Sequence, residues 1–255
     1  MQALNERQER IRHLLATQGR LNVAALSRQL AVAAMTIRRD LTQMEQAGLL
    51  TRTHGGCLLQ SPFVAEATFH EKQRVRQEQK STIAREAVRR LKRGDAVYLD
   101  TGTTALQVAR ALSPNLDLRV FTNNLRVALE LFGRTGVEVT VYGGALARRN
   151  PDLVDEIALE QIAKYRLDVA IVGGDALDVM RAEFYGADTS SAALSRAAQR
   201  QADRVIVTMD SSKFGKRSLA VAGRLTSGVT LITDNEVNAK DRAALRRTKA
   251  EIVFL

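Results

Sequence analysis

The sequence predicts an α/β chain in which a small N-terminal helical domain, closed by a hairpin, is joined to a larger α/β domain with a mostly parallel sheet. Three observations lead there. Residues 1–60 contain no Phe, Tyr or Trp, and all seven Phe and four Tyr lie beyond them. Apolar positions repeat at helical spacing in the first part, whereas short β-rich runs alternate with amphipathic helical runs in the second. Charge is also uneven: residues 1–60 hold eight Arg and no Lys against four acids, and residues 81–255 hold 26 bases against 21 acids.

Composition narrows the class further. With 45% hydrophobic and 26% charged residues, the 255-residue chain is ordinary globular material, which excludes wholesale disorder. No apolar run is long enough for a membrane helix, and the charged N-terminus lacks the apolar centre of a secretory signal. A cytoplasmic chain with no membrane partner is therefore expected. The single cysteine, Cys57, excludes an intramolecular disulfide, and His54 with Cys57 does not make a zinc site, so neither metal nor cofactor is expected. A net charge of +10 suggests a polyanionic partner.

The first sixty residues read as three helices. Ile11, Leu14 and Leu15 form a stripe that stops at Gly19. Asn22 is a good N-cap for a short second helix with Val23, Leu26 and Leu30 inward. After a turn around Ala31–Val32, a third helix buries Ile37, Leu41 and Met44 and ends before Gly48. Its other face carries Met35, Arg39, Thr42 and Gln46, flanked by Arg38 and Gln43, with Thr36 in the first turn. Arg, Gln and Thr on a short helix suit base edges and phosphates in a major groove. Residues 49–59 then read as two short strands around Gly55-Gly56, the wing of a winged helix-turn-helix carrying Arg52 and His54. Asp40 is expected to pair with a neighbouring Arg, and Ser61–Lys80 reads as a charged, part-helical connector.

These residues resemble a family. Arg7-x3-Ile11-x3-Leu15-x17-Ala33-x2-Thr36-Ile37-Arg38-Arg39-Asp40-Leu41, followed by Arg52-Thr53-His54-Gly55-Gly56, is similar to the N-terminal signature and wing of the DeoR family of bacterial regulators. Ala33 departs from it, standing where the family commonly has a serine at the start of the recognition helix.

From residue 81 the β-rich runs are Ala96–Leu99, Leu118–Thr122, Val137–Tyr142, Val169–Val172, Val205–Met209, Val229–Thr233 and Ile252–Leu255. Helical runs cover Ser81–Leu91, Thr104–Leu112, Leu125–Phe132, Leu153–Lys164, Ser191–Gln201 and Ala239–Arg247. Parallel sheets bind ligands at the carboxyl ends of their strands. There this chain places Asp100-Thr101-Gly102-Thr103-Thr104, Thr122-Asn123-Asn124, Gly143-Gly144, Gly173-Gly174-Asp175 and Asp210-Ser211-Ser212-Lys213. Small and hydroxyl residues leading into a helix leave N–H groups for an anion. Five such strand ends together point to a small polyhydroxylated or phosphorylated ligand.

The resemblance extends over nearly the whole chain, through Lys80 with Ile83-Ala84, Gly94-Asp95 and the strand ends just named. It implies a sensor domain related to ribose-5-phosphate isomerase, with Thr101–Thr104 holding a phosphate, Lys213 neutralising it, and Asn123, Asn124 and Asp175 meeting hydroxyls. It further implies a repressor of a carbohydrate-metabolism operon that binds operator DNA under control of a phosphorylated sugar; a homo-oligomer, dimer or tetramer, is the expected working form. Residues 147–155 and 175–188 depart from the family pattern, with Arg148, Arg149, Arg181, Glu183 and Tyr185 as candidate ligand selectors. The alternative is a sugar-phosphate isomerase-like enzyme with a DNA-binding appendage, since Gly173-Gly174-Asp175-Ala176-Leu177-Asp178 resembles an acidic segment of that enzyme. Isomerisation needs a carboxylate base supported by a lysine, which the isomerase places around a glycine-rich loop missing from this sequence.

Overall fold

A computed structural model describes residues 4–18, 20–46, 49–53, 55–58, 69–147 and 150–255. The chain divides into two units, Met1–Glu66 and Ala67–Leu255. The first contains α1 (Glu6–Gln18), β1 (Arg20–Asn22), α2 (Val23–Leu30), α3 (Ala34–Gln46), β2 (Thr51–Thr53) and β3 (Gly56–Leu58). Its helical stripes meet in one core: Ile11, Leu15, Leu26, Ile37, Leu41 and Met44, with Leu50 and Cys57, are each at most 1% exposed. Burying a large apolar side chain contributes about 1.5–3 kcal/mol, so this core holds three short helices that would not persist alone. The Asn22 side chain accepts from the Ala24 N–H at 2.8 Å and caps α2, and Ala31 ends it in the left-handed region at φ 53°.

The hairpin expected over residues 49–59 gains a third strand. β1 pairs antiparallel with β3, matching Leu21 with Cys57, in a sheet ordered β1-β3-β2. A three-residue strand is too short to show alternation, so the sequence pattern does not mark residues 20–22 as a strand. Gly56 is required there, because a Cβ would lie 1.9 Å from the Leu21 carbonyl oxygen.

The second unit runs α4 (Phe69–Arg74), α5 (Gln77–Arg89), β4 (Ala96–Leu99), α6 (Thr103–Ala111), β5 (Leu118–Thr122), α7 (Leu125–Leu131), β6 (Val137–Val141), β7 (Ala145–Leu146), β8 (Leu153–Val154) and α8 (Glu156–Ile162). It continues with β9 (Leu167–Val172), β10 (Ala176–Asp178), β11 (Glu183–Gly186), α9 (Thr189–Gln201), β12 (Ala202–Thr208), β13 (Ala220–Arg224), β14 (Val229–Thr233), α10 (Ala239–Leu245) and β15 (Glu251–Phe254). The seven β-rich runs form one sheet, ordered β15-β14-β12-β9-β4-β5-β6. Every neighbouring pair in it is parallel. Alternate residues feed two cores: Tyr98, Ala170 and Val172 one, Val97, Leu99, Val169 and Ile171 the other.

Two shorter pieces escape the sequence pattern. Leu153 and Val154 pair with β7 instead of starting a helix, and Asp155, at φ 123°, caps α8 through Ile157 N–H at 2.9 Å. β10, β11 and β13 make a separate antiparallel sheet. Residues 69–80, read from sequence as connector, are mostly helical and belong to the second unit. Phe69 anchors them by packing in the core that holds Ile83, Ala105 and Leu106. No helix among the described residues is long and apolar enough to cross a membrane.

Candidate functional site

In the first unit, burial of Ile37, Leu41 and Met44 turns the opposite face of α3 outward. Met35 is 70% exposed, and Arg38 and Arg39 are exposed beside it. Asp40 pairs with an arginine, but one from α1: Arg7 Nε lies 2.5 Å from Asp40 Oδ2 and Nη2 3.2 Å from Oδ1. That bidentate pair fixes α3 against α1 and commits the buried carboxylate away from Arg38 and Arg39. Thr42 Oγ1 donates to the Arg38 carbonyl and accepts from Arg52 Nη1, both at 2.9 Å. Gln43 Oε1 accepts from Gln8 Nε2 at 2.8 Å. Thr42, Gln43 and Arg52 are thus held in place on the outward face, whereas Thr36 is half-buried in the first turn. The Ala33 carbonyl accepts from Thr36 and Ile37, opening α3 without a hydroxyl cap. His54 lies outside the described residues, as do Arg148 and Arg149 of the second unit.

In the second unit the strand order reverses between β4 and β9. Open α/β sheets bind ligands outside the strand ends at such a switch point. The loop Asp100–Gly102 follows β4, with Thr103 and Thr104 in the first turn of α6; Gly173–Asp175 follows β9. Gly102 takes φ 99° and makes no side-chain cap, leaving the first turn of α6 the backbone character of an anion-binding terminus. Asp100 staples the two loops. It is 5% exposed, and its Oδ1 accepts from Thr101 N–H at 2.8 Å and Tyr98 Oη at 3.3 Å, its Oδ2 from Gly173 N–H at 3.3 Å. Burial pushes its carboxyl up to about 6, against the pull of those donors.

The β9 and β12 loops meet through charge. Asp175 Oδ1 lies 2.7 Å from Lys72 Nζ and 3.8 Å from Lys213 Nζ, and Oδ2 accepts from Ala187 N–H at 3.1 Å. Burial alone would raise the Asp175 carboxyl, but the two ammonium groups outweigh it and hold it below the usual carboxylate range. Burial also draws the Lys213 ammonium below the usual lysine value, more than Asp175 restores. Behind them Lys80 Nζ donates to the carbonyls of Lys72 at 2.5 Å and Val75 at 2.7 Å. Burial pushes that ammonium down to about 8, with Asp210 opposing. Arg76, at φ 55°, reaches Asp210 at 3.1 Å, Asp234 at 3.2 Å and Glu236 at 2.9 Å. Two ammonium groups on Asp175, in the loop that Asp100 ties to the one leading into α6, form an arrangement able to hold a phosphate.

Other expected site residues have different work. Thr122, Asn123 and Asn124 are fully buried. Asn123 accepts from Tyr98 Oη and donates to the Leu153 carbonyl, both at 2.9 Å. Asn124 caps α7 and donates to Asp152 Oδ1 at 2.5 Å, while Thr122 Oγ1 accepts from the Asn124 N–H. The expectation that the two asparagines meet ligand hydroxyls is corrected: their polar atoms are engaged in bracing the β5 end from within. Gly143 N–H is held by Gln161 of α8, and Gly144, at φ 131°, faces Val154 and Asp155 at the end of the β7–β8 hairpin. Glu183 is bound by Tyr185 Oη at 2.5 Å and by Arg224 at 2.7 Å across the small sheet, while Arg181 is exposed. A cavity of about 200 Å³ between α8 and α9 is lined by Asp155, Glu156, Leu159, Thr189, Ser190 and Ala193. Its two carboxylates and absence of cations among those residues suit an anion poorly.

Comparison with known proteins bears on both sites. Residues 7–63 match the DeoR-like helix-turn-helix domain, and residues 75–235 match the DeoR C terminal sensor domain. The chain belongs to the DeoR family. It is 31% identical over 229 residues to the glycerol-3-phosphate regulon repressor of Escherichia coli strain K12, covering 90% of each chain. It is 32% identical over 248 residues to the HTH-type transcriptional regulator GlpR of Haloferax volcanii, covering 97% of this chain and 96% of that one. A solved structure, the full-length sorbitol operon regulator SorC from Klebsiella pneumoniae, is similar at a TM-score of 0.41 and 15% identity over 96% of this chain and 100% of that chain. This DeoR-family chain is a DNA-binding transcriptional regulator, not an enzyme with a DNA-binding appendage. Sequence reading missed Lys72 and Arg76 as site residues because they sit in the stretch taken for connector. The available signal was their spacing: Lys72, Arg76 and Lys80 fall four residues apart.

Proposed function

We propose that the chain is a repressor of genes for handling a phosphorylated sugar or polyol, and that this compound binds at the β4–β9 switch point and lowers operator affinity. Met35, Arg38, Arg39, Thr42, Gln43 and Arg52 are the DNA-facing set, with the wing's His54 beside them in sequence. Thr101–Thr104, Gly174 and Lys213 form the effector set, and Asp100 holds the two loops in register. The observation that carries the reading is the pair of ammonium groups, Lys72 and Lys213, that approach one oxygen of Asp175, in the β9 loop that Asp100 ties to the loop before α6. The protein works in the cytoplasm as a dimer or tetramer on a repeated or palindromic operator, since paired recognition helices need paired half-sites. DNA binding falls to residues 1–60 and sensing to 81–255, with Lys72 joining the latter from the coupling stretch 61–80.

An effector shifts such an equilibrium only by its different affinity for the DNA-bound and free states. The test is a titration of the chain on DNA upstream of its own gene, with glycerol 3-phosphate and a panel of sugar phosphates added in turn. One compound should release the DNA, while its unphosphorylated parent should not. Lys213→Ala should bind the same DNA yet need at least about tenfold more of that compound, the loss expected for one charge-assisted contact. Release at an unchanged concentration would remove Lys213 from the site.

A further inference from the structure

We propose that Lys72 is itself a ligand residue of the anion site, and that a phosphate monoester competes with Asp175 for its ammonium and thereby changes the hold on α4. The inference rests on the phosphate reading above and adds what that reading lacks, a contact between the ligand and the segment where the chain enters the sensing unit. Lys72 lies outside both stretches that match the family's two domains, 7–63 and 75–235.

Three ties on α4 bear on the site. Phe69 is buried in the core beside Ala105 and Leu106 of α6, the helix whose N-terminus forms the anion cradle. The Lys72 side chain bonds Asp175 Oδ1 at 2.7 Å. The carbonyls of Lys72 and Val75 accept from buried Lys80 Nζ. The first and third ties are internal to the packing, whereas the second is an exchangeable ion pair with one-fifth to one-quarter of each side chain still reachable by solvent. Lys213 approaches the same Asp175 oxygen at 3.8 Å, too long for a hydrogen bond, so one carboxylate oxygen is shared unequally by two ammonium groups. A phosphate monoester carries about −1.5 to −2 charge and three acceptor oxygens, and can hydrogen-bond both ammonium groups where Asp175 hydrogen-bonds only Lys72. Asp175 keeps its second oxygen on the Ala187 N–H and can be displaced from Lys72 without leaving its loop. Ligand binding then removes the Asp175 tie on α4.

Calorimetric titration of the full chain with inorganic phosphate, and separately with glycerol 3-phosphate, tests this. Lys72→Met should weaken both about tenfold, as for a lost charge-assisted bond. Asp175→Asn, which removes the internal competitor, should tighten both, and Lys72→Met should still weaken binding in that background. Lys72→Arg, which keeps the charge, should stay within about threefold of wild type and guards against a folding defect in the Met variant. Hydrogen exchange at the amides of residues 69–74 supplies a second readout, faster with phosphate in the wild type and unchanged in Lys72→Met. Unaltered phosphate affinity in Lys72→Met together with a loss in Lys213→Met would show Lys72 to be a structural partner of Asp175 only, and overturns the inference while the site stands. Unaltered affinity in Lys213→Met, or no saturable binding to the wild type, overturns the site itself. Equal binding of the two probes places recognition on the phosphate group; tighter binding of the ester adds a contact to its carbon chain.

Discussion

Asp100 shows how one residue carries both geometry and a cost. Its two oxygens collect Thr101 N–H, Tyr98 Oη and Gly173 N–H, which ties the β4 loop to the β9 loop across the switch point. Burial raises its carboxyl to about 6 from an ordinary 3.8. A folded value above the unfolded one means that the folded chain binds the proton more tightly. The stability this group contributes is full below about pH 4 and is lost as pH rises through 6, a difference of roughly 3 kcal/mol at neutral pH. Asp100→Asn removes the titration but turns an amide donor toward the N–H and O–H donors around it. The variant should therefore unfold at a lower temperature than wild type, and the gap should be wider at pH 5 than at pH 7.5. Thermal unfolding of both proteins at the two pH values checks this, and a gap that narrows at pH 5 contradicts the assignment.

The break between α4 and α5 illustrates what the sequence does and does not disclose about elements. All seven strands of the main sheet are legible, because each is a run of β-branched and apolar residues bounded by polar turns. The stripes of α1, α2 and α3 are equally plain. The pieces that escape are two to five residues long, such as β1, β7 and β10, where periodicity has little room to appear. Charged residues 69–80 escape for another reason: their partners are carboxylates distant in sequence. Arg76 takes φ 55°, a conformation that costs a non-glycine residue about 1 kcal/mol, and its ion pairs with buried Asp210 and Asp234 offset that cost. The same blindness explains Asn123 and Asn124, whose polar composition suggested a ligand contact while their burial was invisible. Removing Arg76 leaves two buried carboxylates without their shared cation, which destabilises by about 3 kcal/mol. Burial would raise Asp234, but Ser211 and Arg76 outweigh it and lower it, so this stabilisation is present above about pH 4 and fades as pH falls below. Arg76→Ala should accordingly lose most stability near pH 7 and approach the wild type under acid conditions, as followed by urea unfolding at each pH.

At the scale of the whole chain, the charge separates two anionic partners of different size. The eight arginines of residues 1–60 stand against four acids, and α3 keeps Arg38 and Arg39 on its exposed face because Asp40 is committed to Arg7. The bases around the sensing unit's strand ends are instead interleaved with Asp175, Asp210 and Asp234, so their field is local. A duplex releases counterions for every phosphate neutralised, so operator affinity should fall steeply with salt. A single phosphate group on a small effector gives a much shallower dependence. Arg39→Ala should weaken operator binding by about tenfold or more. If Arg39 meets a backbone phosphate, the slope of log affinity against log salt should fall by about one. If it meets a base, the slope should hold while discrimination between operator variants relaxes. Phosphate binding by the same variant should match the wild type, because no residue of the anion site lies in Met1–Glu66. Fluorescence anisotropy on labelled operator across a salt series measures both quantities, and an Arg39→Ala protein with wild-type affinity at every salt concentration would take DNA contact away from α3.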